Sequence, residues 1–193
     1  MARAASSLSF QRCWPLARLR GTLTDSELGF CELSFQRRPE LVSIVRRFVS
    51  EFYDGTLADP DASFRVALAA HELLENALKY SPDGQATVRI EVDARGSSAH
   101  IRIRTRNRAA PEDTAFIRRT VSEMRCNPDA NLYYLDVIRR NARRTEGSGL
   151  GLARIYAEAE MKVSVRSVRG TVTVTAETDV ELSAAAVSAR GVA

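Results

Sequence analysis

Two hydrophobic rhythms divide this chain. Apolar and polar residues alternate with period two in GFCELSFQ (29–36), ATVRIEVDA (86–94), AHIRIRTRN (99–107), MKVSVRSV (161–168) and GTVTVTAET (170–178). That alternation predicts half-buried strands. Between them the spacing is helical. Pro39 opens a helix in which Leu41, Ile44, Val45 and Phe48 recur, and Gly55 is expected to end it. A second helix runs from about Ala62 to Tyr80 with Asp59 or Asp61 as N-cap, and Ser81-Pro82-Asp83-Gly84 stops it. PEDTAFIRRTVSEMR (111–125) follows, broken by Asn127-Pro128-Asp129. ANLYYLDVIRRNARR (130–144) then carries Leu132, Leu135, Val137 and Ile138. A glycine-rich turn feeds a last helix, Leu150–Glu158.

The predicted order is β-α-α-β-β-α-α-α-β-β. Hairpins about Arg95–Ser98 and Arg169-Gly170 join the later strands in pairs. Paired strands and grouped helices predict an α+β sandwich, with one mixed or antiparallel sheet covered on one face by helices. No strict βαβ alternation and no internal repeat is visible. Residues 29–180 are expected to form one domain. Residues 1–28 and 181–193 are expected to be tails. The first tail has no acid before Asp25 and no continuous apolar run, so it does not read as a secretory signal. Its Arg- and Ser-rich composition is also that of an organellar transit peptide.

The chain has 193 residues, 45% hydrophobic and 27% charged, which excludes wholesale disorder. No apolar run is long enough to span a bilayer. Cys13, Cys31 and Cys126 are too scattered for a disulfide framework or a zinc knuckle, and read as reduced thiols of a cytoplasmic protein. The net charge is +4, but residues 101–146 alone hold 11 arginines against 6 acids. Such a stretch attracts phosphate or an acidic partner, or is simply a solvated helical surface. No motif of a nucleic-acid reader accompanies it, so nucleic acid is not the expected partner.

Chemistry concentrates in two places. On the second helix Glu72, Asn76 and Lys79 fall at i, i+4 and i+7, within one narrow arc. A carboxylate can take a proton, an amide oxygen can hold Mg²⁺, and a lysine can meet phosphate. Alone, the triple is equally an ordinary solvated face. His71-Glu72 lacks the second histidine of HExxH, since Glu75 stands there. Then Glu146-Gly147-Ser148-Gly149-Leu150-Gly151-Leu152 sets three glycines at i, i+2 and i+4 before a helix. That arrangement suits close backbone approach to an anion. It matches neither GxxxxGK[ST] nor GxGxxG.

Together the two pieces resemble a known family. HELLENALKYS (71–81) resembles the N-box, and EGSGLGLARI (146–155) the G2 box, of the GHKL ATPases. That superfamily includes sensor histidine kinases, gyrase and the anti-sigma serine kinases. Glu-x-x-x-Asn is most similar to the last of these, which are bacterial regulators. The resemblance implies ATP and Mg²⁺ as cofactors, with Glu72 as general base, Asn76 as Mg²⁺ ligand and Lys79 as a phosphate contact. It further implies that Gly147, Ser148, Gly149, Leu150 and Gly151 line the triphosphate. One box departs. Where the family has Asp-x-Gly-x-Gly after the N-box hairpin, with the Asp on the adenine amino group, this chain reads IRTRNRAAPED, and Asn107 or Thr105 stands in.

Two functions follow. One is a Mg-ATP-dependent serine/threonine kinase acting on a STAS-type anti-sigma antagonist. The other is an inactive GHKL-fold module that binds such an antagonist or a sigma factor, with weak or no nucleotide binding. Anti-sigma kinases are often dimers, so a homodimer is among the expected states.

Overall fold

The computed structural model describes residues 18–20, 27–36, 39–57, 59–95, 97–142 and 149–182. The strands are β1 (Arg18–Arg20), β2 (Glu27–Gln36), β3 (Gln85–Arg95), β4 (Ser98–Arg108), β5 (Lys162–Val168) and β6 (Thr171–Glu181). The helices are α1 (Pro39–Leu57), α2 (Pro60–Lys79), α3 (Pro111–Arg125), α4 (Ala130–Asn141) and α5 (Leu150–Ala157). The strands form one sheet in the order β1-β2-β3-β4-β6-β5, and every neighbouring pair is antiparallel. Of the mixed and antiparallel alternatives, the second is what the hairpins build. β1 adds a strand within the first 28 residues, where the sequence predicts only a tail.

Alternation decides which face is which. Val88, Ile90 and Val92 of β3, Ile101 and Ile103 of β4, and Val172, Val174 and Ala176 of β6 are buried under the helices. Their neighbours Arg89, Arg104, Arg106 and Thr173 point the other way, as period two requires. The β5–β6 turn uses positive φ at both Arg169 (51°) and Gly170 (75°), as a two-residue hairpin demands.

α2 is the central helix. Asp59 is its N-cap, accepting from the backbone N–H of Asp61 and of Ala62, which settles the choice between the two aspartates. Ala67, Leu68, Ala69, Ala70, Leu73 and Leu74 are all buried, so the helix is enclosed on nearly every side. Glu72 is therefore buried and Asn76 half-buried, while Glu75 and Lys79 remain exposed.

α1 corrects the sequence reading twice. Its buried stripe is Val42, Val45, Val49, Tyr53 and Leu57, whereas Ile44 and Phe48 are exposed. Gly55 does not end it, because continuing to Leu57 buries that side chain completely. Burial of a leucine contributes about 2 kcal/mol against about 1 kcal/mol for a helical glycine. On α4 the buried residues are Tyr133 and Val137, while Leu132, Leu135 and Ile138 face outward.

Cys31, on β2, lies in the core, and burial first and Glu32 second push its thiol up to about 11. At about pH 8 almost no thiolate forms there. A thiol reagent on the native protein is expected to modify the exposed Cys126 and spare Cys31, read by peptide mass mapping. Labelling of Cys31 as fast as Cys126 would contradict this burial.

Candidate functional site

A pocket opens between the helical layer and one end of the sheet. The room inside it for water-sized centres is about 40 Å³, and the space widens to about 580 Å³ when the open solvent at its mouth is included. α2 contributes Leu73, Asn76, Ala77 and Tyr80, and β4 contributes Thr105 and Asn107. α3 contributes Asp113, Phe116 and Ile117, α5 and its approach Gly149 and Leu152, and β6 Val172 and Val174. Apolar walls around a few polar groups are the usual make-up of a small-molecule site.

Behind Asn76 lies Glu72, 8% exposed. Its Oε1 accepts from Arg154 Nη1 at 2.6 Å. Arg154 in turn donates from Nη2 to Glu158 at 3.1 Å, an i,i+4 pair along α5. Glu158 also bonds the Tyr134 hydroxyl on α4. One polar chain thus runs from α2 through α5 to α4. Burial raises the Glu72 carboxyl above the usual range, and Arg154 and His71 partly offset this. A carboxylate tuned upward in this way is a better proton acceptor near neutrality.

Two glycines let α5 approach. Gly149 sits at φ 60° as the N-cap of α5, a left-handed conformation that L side chains rarely adopt. Gly151 packs directly on α2: a Cβ there would lie 2.5 Å from Glu72 Oε2 and 3.2 Å from Asn76 Nδ2. The absence of a side chain at 151 is therefore what lets the start of α5 meet the Glu-Asn pair.

Asn107 is 8% exposed and lines the pocket from β4. Its Nδ2 donates to the carbonyl of Arg108 at 2.7 Å, so its amide oxygen is left to accept. Thr105, two residues earlier, shares the same face and is also buried. Both candidate stand-ins for the missing aspartate therefore reach the pocket.

The model of the family described as "Histidine kinase-like ATPase domain" matches residues 35–181, three quarters of the chain. The chain belongs to this family. The solved SiaB–SiaC complex from Pseudomonas aeruginosa has a similar fold. Its TM-score is 0.56 at 18% identity, over 75% of this chain and 88% of that one. A comparison with curated proteins finds none similar in sequence. The α+β sandwich expected from the pattern is thus the histidine kinase-like ATPase fold.

Within this ATPase fold, Glu72 and Asn76 meet Gly151 where α2 meets α5, and Gly149 lines the same pocket as Asn76, beside Thr120 and Phe116 of α3, while Leu150 packs against the core. Gly147 and Ser148 lie outside the described residues. Lys79 is on the exposed end of α2, with its Nζ 5.3 Å from the Tyr80 ring centroid, and is not among the residues lining the pocket. His71 pairs with Glu75 at 3.7 Å, and among the described residues no cluster of His, Cys, Asp and Glu is arranged to hold a metal. No described helix is long and apolar enough to cross a membrane.

Sequence reasoning missed Arg154, Asp113 and Phe116. For Arg154 a signal existed. It stands three residues after Gly151, so it shares the α5 face that Gly151 turns toward Glu72. Asp113 and Phe116 carry no motif and reach the pocket only because α3 folds over it.

Proposed function

We propose that this chain is a Mg-ATP-dependent protein kinase that transfers the γ-phosphoryl group to a serine or threonine of a protein partner. A STAS-type anti-sigma antagonist is the partner class the N-box similarity favours. The observation that supports the reading is the packing of Gly151 against both Glu72 and Asn76, which sets a buried carboxylate and the start of α5 beside the amide that lines the pocket. In this reading Asn76 holds Mg²⁺, the backbone at Gly149–Gly151 cradles phosphates, and Glu72 takes the proton of the attacking hydroxyl. When bound, Mg²⁺ offsets the charge of the transferring phosphoryl group. Arg154 orients Glu72 and partly offsets the upward push of its burial. The Asn107 amide oxygen accepts from the adenine amino group, the task of the family's aspartate.

The similarity to a fold found in a two-protein complex supports a protein partner. A second reading, a scaffold that binds a sigma factor or antagonist without turnover, draws on the same departure. The β4–α3 connection is Ala109-Ala110 and has no glycine. Calorimetric titration with Mg-ATP separates the two. Micromolar affinity is expected, and no binding at millimolar ATP would leave the scaffold.

Glu72→Gln is expected to keep nucleotide binding and lower phosphotransfer by about 10²–10⁴-fold, the usual weight of a general base. Full transfer to the partner by the Glu72→Gln protein would remove Glu72 from that role.

A further inference from the structure

The face of the sheet away from the helices is electrically divided along its strands. One end carries Asp93, Glu91, Glu177 and Asp179 around a single arginine, Arg102, which bonds Glu177 at 3.2 Å, with His100 Nδ1 2.9 Å from Asp179. The other end forms a groove whose lining includes five arginines, Arg89, Arg104, Arg106, Arg166 and Arg169, and one acid, Glu32. Serine and threonine hydroxyls fill the spaces between them: Ser34, Thr87, Thr171 and Thr173.

Local acids cover only part of this charge. Arg89 bonds Glu32 at 3.3 Å and Glu91 at 2.7 Å, and Arg104 bonds Glu91. Arg106, Arg166 and Arg169 pair with no carboxylate among the described residues, and all three are exposed. The Nε of Arg104 is buried without a hydrogen-bond partner, so even the paired guanidinium has a donor to spare.

Register fixes the spacing. Arg106 of β4, Thr173 of β6 and Arg166 of β5 lie in one row across the strands. The two arginines are therefore about 10 Å apart, two strand spacings. Arg104 and Arg106 follow each other along β4 at about 7 Å, the repeat of alternate residues in an extended chain. An extended segment with acids at alternate positions repeats its carboxylates at that same interval. Guanidinium groups take such carboxylates bidentately. Among the described residues the groove lining holds no aromatic ring on which a base could stack, which disfavours single-stranded nucleic acid. Residues 1–17 and 183–193 contain no acid, so neither of these two segments matches the groove.

We propose that this groove docks an extended acidic segment of a protein partner. It lies back to back with the pocket: Thr105 and Asn107 enter the pocket from the strand whose Arg104 and Arg106 enter the groove. Val172 and Val174 alternate with Thr171 and Thr173 on β6 in the same way. The tip of the β5–β6 hairpin is also tied to the pocket rim, through Ala109 N–H donating to the Gly170 carbonyl at 3.1 Å. A segment held in the groove leaves the pocket mouth open and touches the strands that form its floor. The proposal does not depend on nucleotide binding.

The test is fluorescence anisotropy with a labelled peptide of about twelve residues alternating glutamate and serine, an extended ladder of carboxylates at ~7 Å. Wild type is expected to bind, more weakly as salt rises. Arg106→Glu with Arg166→Glu should weaken binding at least about tenfold. The same two charge reversals at Arg46 and Arg47, exposed on α1, should leave it unchanged. Equal melting temperatures establish that both variants are folded. No binding by wild type, or equal loss in the α1 variant, overturns the proposal. So does an oligodeoxynucleotide of the same charge binding tighter than the peptide. Sedimentation completes the test: a wild-type dimer that the groove variant dissociates would make the acidic end of a second copy the occupant instead.

Discussion

Asn76→Ala is expected to abolish Mg²⁺-dependent nucleotide binding while leaving the fold intact. Asn76 lines the pocket from α2, one turn beyond Glu72 and beside Gly151. Its amide offers a neutral carbonyl oxygen on that wall, and an oxygen ligand is what a hard cation such as Mg²⁺ would require. Alanine supplies none. The loss of affinity should be at least about 100-fold, the upper range for removing a group that tunes a metal site. Stability should hardly change. Asn76 is only partly buried, and alanine is the better helix former by roughly 0.5 kcal/mol. The backbone bond from Tyr80 N–H to the Asn76 carbonyl is unaffected by the side chain. Calorimetry with ATP, with and without a chelator, reads the result. Undiminished binding in the variant would reject Asn76 as ligand. Wild-type affinity indifferent to the chelator would reject the metal altogether.

Gly151→Ala carries the second large effect, and its sign opposes propensity. In an exposed helix, glycine to alanine stabilises by about 1 kcal/mol. Here the new methyl meets Glu72 Oε2 at 2.5 Å. The carboxylate is the end of a flexible side chain, yet it is buried and held by Arg154 at 2.6 Å. Moving it weakens that pair or forces α5 away from α2. Overpacking of this kind costs about 1–3 kcal/mol, so a net loss of about 1 kcal/mol is expected. That corresponds to a melting temperature lower by ~2–4 °C for a domain of this size. Nucleotide affinity should fall with it, because Asn76 Nδ2 is the next contact, at 3.2 Å. Glu72→Ala removes the obstructing atoms, so in that background Gly151→Ala should become neutral or stabilising. A double-mutant cycle measures this coupling directly. Additive effects, or a more stable single variant, would show that α5 does not press on Glu72.

Much of this molecule is written locally. The alternation in β2 to β6, the Pro60 start and Asp59 cap of α2, and the Arg169-Gly170 turn are short-range instructions. They fix the elements and, with the hairpins, an antiparallel sheet under helices. The Glu72-x-x-x-Asn76 and Gly149-Leu150-Gly151 spacings were legible for the same reason, since each lies within two helical turns, and the fold brings Gly151 against both Glu72 and Asn76. What the sequence left open depends on contacts between distant segments. Glu72 and Arg154 are 82 positions apart, and only the packing of α5 on α2 makes them partners. The choice of the buried face of α1 belonged to its packing on α2 and, at Tyr53, to β3, whose Ile90 carbonyl accepts from the Tyr53 hydroxyl, and it left Phe48 outside. Asn107 and Arg106 are neighbours in the chain, and the pleat sends one into the pocket and the other into the basic groove. Periodicity shows that two faces exist. Only the tertiary structure decides which face meets helices and which meets solvent, because burial is a property of the whole packed layer and not of the strand.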